Sequence, residues 1–235
     1  MRVKLLAAAA ALALGTLGAQ AADLPARMPV KAVPVAPAFS WTGAYIGAHL
    51  GYGWSRSTYT DMYTPGWSLL NKADGILGGG QIGFNQQFGA WVLGVEADVS
   101  ATGIDGTTLD AGLFAGDRYK DDLTWTATIV GRIGYAFDRT LIYAKGGAAF
   151  ARGEHEYQWV GTTAISTGDR NASGWTVGGG LEQALSPNWS IRVDYSYLDL
   201  GKSDVFLVEP TYAWVAGVEQ TVHAVKFGVN FRPWP

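Results

Sequence analysis

From Trp175 to Gly201 the chain alternates with period two, not with the period near 3.6 of a helix. Trp175, Val177, Gly179, Leu181 and Leu185 share one face of the first run, against Thr176, Gly178, Gly180, Glu182 and Ala184 on the other. After a turn at Ser186-Pro187-Asn188, Trp189, Ile191, Val193, Tyr195 and Tyr197 oppose Ser190, Arg192, Asp194 and Ser196. One face of the hairpin is bulky and apolar, and the other is small and charged. That pattern suits strands with their apolar face on lipid and their polar face inside a closed barrel. A two-faced sheet of a soluble sandwich competes with it. Each run exceeds the roughly 9 to 11 tilted residues that cross hydrocarbon.

The same alternation recurs along the chain. It predicts further strands at 41–55, 76–87, 91–101, 123–136, 140–152 and 220–232, eight with the hairpin. In the first, Ala44, Ile46, Ala48, Leu50, Tyr52 and Trp54 face out and Tyr45, Gly47 and His49 face in. In the fourth, Leu123, Trp125, Ala127, Ile129, Ile133 and Tyr135 face out. Long polar stretches at 56–74, 102–122, 153–172 and 201–219 alternate with turns of a few residues at 88–90, 137–139 and 186–188. Short turns at one end, long loops at the other and an even strand count mark an outer-membrane barrel. The fold class predicted is all-β, an eight-stranded antiparallel up-and-down transmembrane β-barrel.

Aromatic residues support this independently. Trp41, Phe84, Trp91, Tyr135, Trp189 and Phe231 fall near one rim, and Trp54, Trp125, Phe150, Trp175 and Tyr197 near the other. Two girdles at the two membrane interfaces are expected of such barrels. The girdle set is Trp41, Trp54, Trp91, Trp125, Trp175, Trp189 and Phe231.

The predicted inward ionisable residues are Glu96, Asp98, Glu182 and Asp194 against Arg132, Lys145, Arg192 and Lys226. Their signs balance, as buried charges must to be tolerated. An eight-stranded barrel is just wide enough for side chains to fill, so these residues read as a structural network. A narrow charge-selective channel for small solutes is the alternative.

Composition narrows the class further. Charged residues are 16% and hydrophobic residues 48% of the chain, against the roughly 25% charged of an ordinary soluble domain. A net charge of -3 gives nucleic acid no footing. Residues 1–22 read as an export signal, with Arg2 and Lys4 before the apolar run Leu5 to Leu14 and small residues at Ala19 and Ala21. Cleavage is expected after Ala21 or Ala22. Residues 23–40, with Pro25, Pro29, Pro34 and Pro37, read as a periplasmic lead, and residues 41–235 as the barrel domain. The chain has no cysteine, so packing and strand closure must stabilise it.

Catalytic, cofactor and metal motifs are weak. Gly78, Gly80 and Gly83 fit a dinucleotide fingerprint, but lie where a strand runs on without a helix. A hydrolase needs a serine with a histidine partner; His49 points inward, His155 lies in a loop, and His223 faces outward near the outer rim. Glu154-His155-Glu156 is a poor metal site without a second cluster. Asp105, Asp110, Asp117, Asp121 and Asp122 read as a solvated acidic loop, with cation bridging to lipopolysaccharide as the rival reading. No catalytic residue, cofactor or metal ligand is assigned.

The runs TIVGRIGYAFDRTLIYAKGGAAFA (Thr128 to Ala151), GWTVGGGLEQALSPNWSIRVDYSYLDLG (Gly174 to Gly201) and WTGAYIGAHLGYGWS (Trp41 to Ser55) resemble alphaproteobacterial outer-membrane β-barrel proteins. These are the porin-family or outer membrane immunogenic proteins, related to opacity-like barrels. The resemblance spans nearly all of the mature chain. It implies a Gram-negative cell envelope protein of the outer membrane, with roles in envelope integrity and surface display. Its implied partners are outer-membrane lipid and lipopolysaccharide, the barrel-assembly machinery through the C-terminal strand, and peptidoglycan or host contacts. Such chains commonly end on an aromatic residue, whereas here Arg232-Pro233-Trp234-Pro235 follows Phe231, so Phe231 or Trp234 would serve as the assembly signal.

Overall fold

The computed structural model describes residues 39–61, 66–112, 115–161, 165–208 and 213–233. The predicted export signal, the lead up to residue 38, and Trp234 lie outside the described residues. Eight strands follow in order: β1 (Gly43–Asp61), β2 (Ser68–Phe88), β3 (Trp91–Leu109), β4 (Arg118–Phe137), β5 (Thr140–Gln158), β6 (Ile165–Ala184), β7 (Trp189–Val208) and β8 (Ala213–Phe231). Each pairs antiparallel with its neighbours, and β1 pairs with β8 to close the ring. Closure leaves no sheet edge, the condition for strands to cross a membrane. The predicted fold is the one observed.

The faces are inverted relative to a soluble protein. Ile191 and Val95 are 45% and 61% exposed, while Arg192 and Glu96 between them in sequence parity are 4% and 2% exposed. An apolar surface running round all the strands would aggregate in water; against acyl chains it costs nothing. The periplasmic hairpins are tight. Gly89 and Asp138 take positive φ of 62° and 53° at the β2–β3 and β4–β5 turns, which matches the twist of the flanking strands.

The strands are longer than the sequence pattern predicts. They have 19 to 21 residues, about twice the roughly 9 to 11 that span hydrocarbon. Most of the four polar stretches expected as outer loops is strand: β1 runs to Asp61, β3 to Leu109, β5 to Gln158 and β7 to Val208. Asp105, Asp121 and Asp122 therefore belong to β3 and β4, and His155 to β5. Beyond the outer girdle the outward positions Arg56, Thr58, Lys120, Asp122, Arg152 and Glu154 are polar, so the wall continues out of the bilayer into water.

Two further expectations are corrected. A register shift between Leu123 and Trp125 leaves Thr124 and Trp125 both exposed and turns Leu123 inward, where it is buried. Trp41 is not a girdle residue: it precedes β1 and is 0% exposed. Its indole folds into the periplasmic mouth, packs with Val92, Ala136, Leu141, Tyr143 and Ala184, and donates from Nε1 to the Asp138 carbonyl at 3.2 Å. Burying a large ring whose one polar atom finds a partner favours this position over the interface. Trp54, Trp91, Trp125, Trp175 and Trp189 do face outward, with Phe231 half-buried against Trp189.

Candidate functional site in the barrel interior

The interior is built in layers. Above the Trp41 floor, inward positions of β3 to β8 converge on a network of fully buried charges. Glu96 is its hub: Arg192 donates to it from Nη1 at 2.5 Å and Nη2 at 3.0 Å, Arg132 from Nη1 at 3.1 Å, and the Tyr45 hydroxyl at 2.7 Å. Arg132 also reaches Glu182 at 3.1 Å. Arg192 donates from Nε to Asp194 at 2.9 Å, and Lys145 donates to the same carboxylate. Lys226 donates to Asp98 at 2.7 Å. All eight residues expected inside are buried; six meet around Glu96, and the Lys226–Asp98 pair connects to them through His49, Gln81 and Asn230.

Sequence reasoning missed several members. Arg232, just past β8, is fully buried, donates to Glu182 at 2.8 Å and lies over the Trp41 ring at 4.4 Å. It continues the inward parity of Lys226 and Asn230, so the signal was present. With it, five cations, Arg132, Lys145, Arg192, Lys226 and Arg232, surround four carboxylates. Tyr143 lies against Arg132, whose guanidinium carbon is 3.9 Å from the ring centroid. Two glycines make room for these tyrosines: an added Cβ would come within 2.4 Å of the Tyr45 hydroxyl at Gly83 and within 2.7 Å of the Tyr143 hydroxyl at Gly180.

An apolar layer lies above the network. Leu77, Ile104, Leu123, Leu198, Leu200 and Val222, with small alanines between them, cross the lumen as one packed cluster. Beyond it, outside the outer girdle, a second polar group forms. Asp121 Oδ1 is 2.6 Å from His155 Nδ1 and also accepts from the Tyr59 hydroxyl. Arg170 donates to Gln220 at 3.2 Å, and Gln220 to Ser55 at 3.1 Å. Tyr59, Tyr119, Tyr157 and Val218 cap this group, with Trp67 and Leu69 packed on them.

Burial works against charge on Asp121, but the hydrogen bond and charge of His155 and the hydroxyl of Tyr59 outweigh it and hold the carboxyl below the ordinary aspartate range. Burial first, then the Asp121 charge, pushes the Tyr59 phenol well above its ordinary value.

The weak motifs resolve individually. Glu154 and Glu156 point away from the lumen while His155 points in, so strand alternation splits the triplet; among the described residues no group of three or more metal-binding side chains forms. The β2 glycines lie within an unbroken strand. His223 stacks on Trp54 at the outer rim. His49 was expected inward and is, with Nδ1 2.6 Å from Gln81 Oε1 and Nε2 2.9 Å from Ser100 Oγ, and Asp98 3.4 Å from Nδ1. The residue types of a hydrolytic triad thus meet. Yet Ser100 is fully buried in mid-barrel and accepts a hydrogen bond from Lys226 at 3.2 Å, so no substrate reaches it.

Comparison with known proteins places this architecture. The outer membrane protein beta-barrel domain family matches residues 7–232. The 31 kDa outer-membrane immunogenic protein of Brucella melitensis biotype 1 is 31% identical over 235 residues, covering 94% of this chain and 95% of its own length. The 22 kDa outer membrane protein of Rhizobium leguminosarum bv. viciae is 29% identical, covering 85% and 81%. Among solved structures, Neisserial surface protein A is similar at 13% identity and a TM-score of 0.41, covering 81% of this chain and 97% of its own. The outer membrane protease OmpT of Escherichia coli is similar at 9% identity and a TM-score of 0.48, covering 84% and 99%.

Proposed function

Because this chain belongs to the outer membrane protein β-barrel family and resides in the outer membrane, we propose that it is a non-enzymatic structural barrel, one that reinforces the envelope and presents its outer end to the surroundings. The observation that supports this reading is the filled lumen. A solute would have to break the Glu96 network, pass the apolar layer at Leu123 and Ile104, and displace the tyrosine cap. A pore has no use for three successive barriers, whereas a pillar gains rigidity from each.

In the same reading, residues 1–22 direct export and residues 23–40 are a periplasmic lead. The assembly machinery takes the C-terminal strand at β8. Lipid and lipopolysaccharide surround the outward face.

The test is a deletion strain complemented with the intact gene. Loss of the protein should raise entry of a hydrophobic dye and sensitivity to detergent, and complementation should restore both. An unchanged barrier, or stable ion steps from the purified barrel in planar bilayers, would overturn the reading.

A further inference from the structure

Across the bilayer the seam between β6 and β7 is fully laddered, from Ala184 opposite Ser190 up to Trp175 opposite Asp199. Above that pair no ladder links the two strands among the described residues, although β6 extends to Ile165 and β7 to Val208. Each strand keeps its other neighbour: β6 pairs with β5 as far as Ile165 opposite Gln158, and β7 with β8 as far as Val208 opposite Ala213. Regular pairing of β2 with β3 also stops, above Asp74 and Asp105, but there the Thr108 hydroxyl donates to Asn71 at 2.6 Å and holds the strands together. The β6–β7 seam opens at Trp175, in the outer girdle, where unpaired backbone groups can first meet water.

A bulge opens it. The β7–β8 register shifts between Asp199 and Lys202, and Gly201 takes a φ of 64° while its amide donates to the Asp199 carboxylate at 2.9 Å. A bulge bends its strand, so β7 follows β8 away from β6. Residues 165–174 of β6 are left as about 30 Å of sheet edge. Natural edges are commonly blunted by proline or lysine; Ser166-Thr167-Gly168-Asp169-Arg170-Asn171-Ala172-Ser173 has neither.

One cation stands behind this edge. Arg170 is buried on the lumen side of β6, donates from Nη1 to Gln220 at 3.2 Å, and reaches across the foot of the seam from Nη2 to the carbonyls of Gly201 at 3.4 Å and Val218 at 3.3 Å. These partners are all neutral, and Nε has none among the described residues. The Asp121 carboxylate of the same layer is taken by His155 and Tyr59. A buried cation without an ion pair favours an incoming carboxylate.

We propose that the upper edge of β6 accepts an extended segment of an extracellular protein as an added strand, with an acidic side chain of that segment set against Arg170. Backbone hydrogen bonds supply the grip, and the alternate side chains turned toward the lumen supply the choice of an acidic partner. The proposal rests on the reading that the outer end meets the surroundings, and names what it meets there.

The experiment uses the folded, full-length mature barrel in nanodiscs, titrated with a short fluorescein-labelled, threonine-rich peptide carrying one central glutamate. Fluorescence polarisation reads binding, and hydrogen exchange reads the amides of 166–174. In the free barrel alternate amides of this stretch, those not bonded to β5, should exchange readily, and saturating peptide should slow them about tenfold. The same peptide with glutamine for glutamate should bind about tenfold more weakly, as should the glutamate peptide to R170Q, the loss of one charge-assisted hydrogen bond. R170K should keep the preference for glutamate, R170E should prefer a lysine peptide, and a peptide N-methylated on alternate amides should not bind. Heat-modifiable gel migration reports whether each variant is folded. Slow exchange of all these amides in the free barrel, no binding of the glutamate peptide, or equal binding of the N-methylated one would overturn the proposal. Equal or tighter binding by R170Q would make Arg170 a guard against pairing and overturn it too, as would a second copy of the chain paired to the edge. None of these results bears on the permeability phenotype of the deletion strain, so the edge site and the envelope role fail separately.

Discussion

Arg192 on β7 grips both oxygens of Glu96 on β3, with Nη1 2.5 Å from Oε2 and Nη2 3.0 Å from Oε1. These strands do not pair in the sheet, so the fork is a strut across the lumen. A bidentate guanidinium–carboxylate contact is among the strongest polar links available, and it is directional.

Removing one end of that strut should cost more than removing both. Glu96→Ala leaves Arg192 and Arg132 buried with a lost partner, which costs about 3–5 kcal/mol. Replacing Glu96 and Arg192 together with apolar residues of similar volume should cost less. Urea titration of the barrel in lipid vesicles, followed by gel mobility without boiling, reads both. Equal losses for the single and double changes would refute the strut.

Trp41→Ala should destabilise the barrel by about 3–5 kcal/mol, because it empties the periplasmic floor and strips the ring from Arg232. It should not create a channel, since the Glu96 network and the Leu123 layer remain. Stable conductance steps from this variant in planar bilayers would show that Trp41 is a stopper and not a structural floor.

On the lipid face the opposite chemistry holds. Val95→Arg places a cation on hydrocarbon and should cost about 2–4 kcal/mol if it lies near the mid-plane. The neighbouring position, Glu96, is native and charged, and only the pleat separates them. Folding yield into vesicles decides the matter; a fully tolerated Val95→Arg would argue that this surface does not meet lipid.

Acid should loosen the outer cap. The folded-state carboxyl of Asp121 sits below its ordinary value of about 3.9, so its ionised form favours the folded state. That contribution is complete above about pH 4 and declines as the pH falls through the folded value. The protection of amides across β4 and β5 at Tyr119 and Tyr157, measured against their intrinsic exchange at each pH, should therefore fall below pH 4. In Asp121→Asn that protection should be low already at neutral pH and show no acid step. Identical profiles for the two proteins would dismiss the idea.

The membrane half of the fold was readable because Ile191 and Val193 alternate cleanly with Arg192 and Asp194, and hydrophobic contrast is the strongest signal a strand carries. The outer half lacks that contrast. In Ser55-Arg56-Ser57-Thr58 both faces are polar, so a strand standing in water looks like a loop. The register shift at Leu123 changes facing by one residue and leaves no mark in composition. Trp41 was readable and misread: it shares the odd parity of inward Tyr45 and His49, but an aromatic near a rim suggested an interface. Of the interior network, the eight midspan residues were legible from parity. Tyr59, Asp121 and Arg170 were not, because their strands were not recognised that far.

The packed leucine and valine layer between Asp121 and Glu96 also acts as an insulator. Protons move along chains of hydrogen-bonded groups, and that chain is broken where only methyl groups meet. The upper cluster can thus rearrange with the medium while no hydrogen-bonded path carries the change down to the struts. The end facing the medium can yield to its surroundings without weakening the part that holds the bilayer.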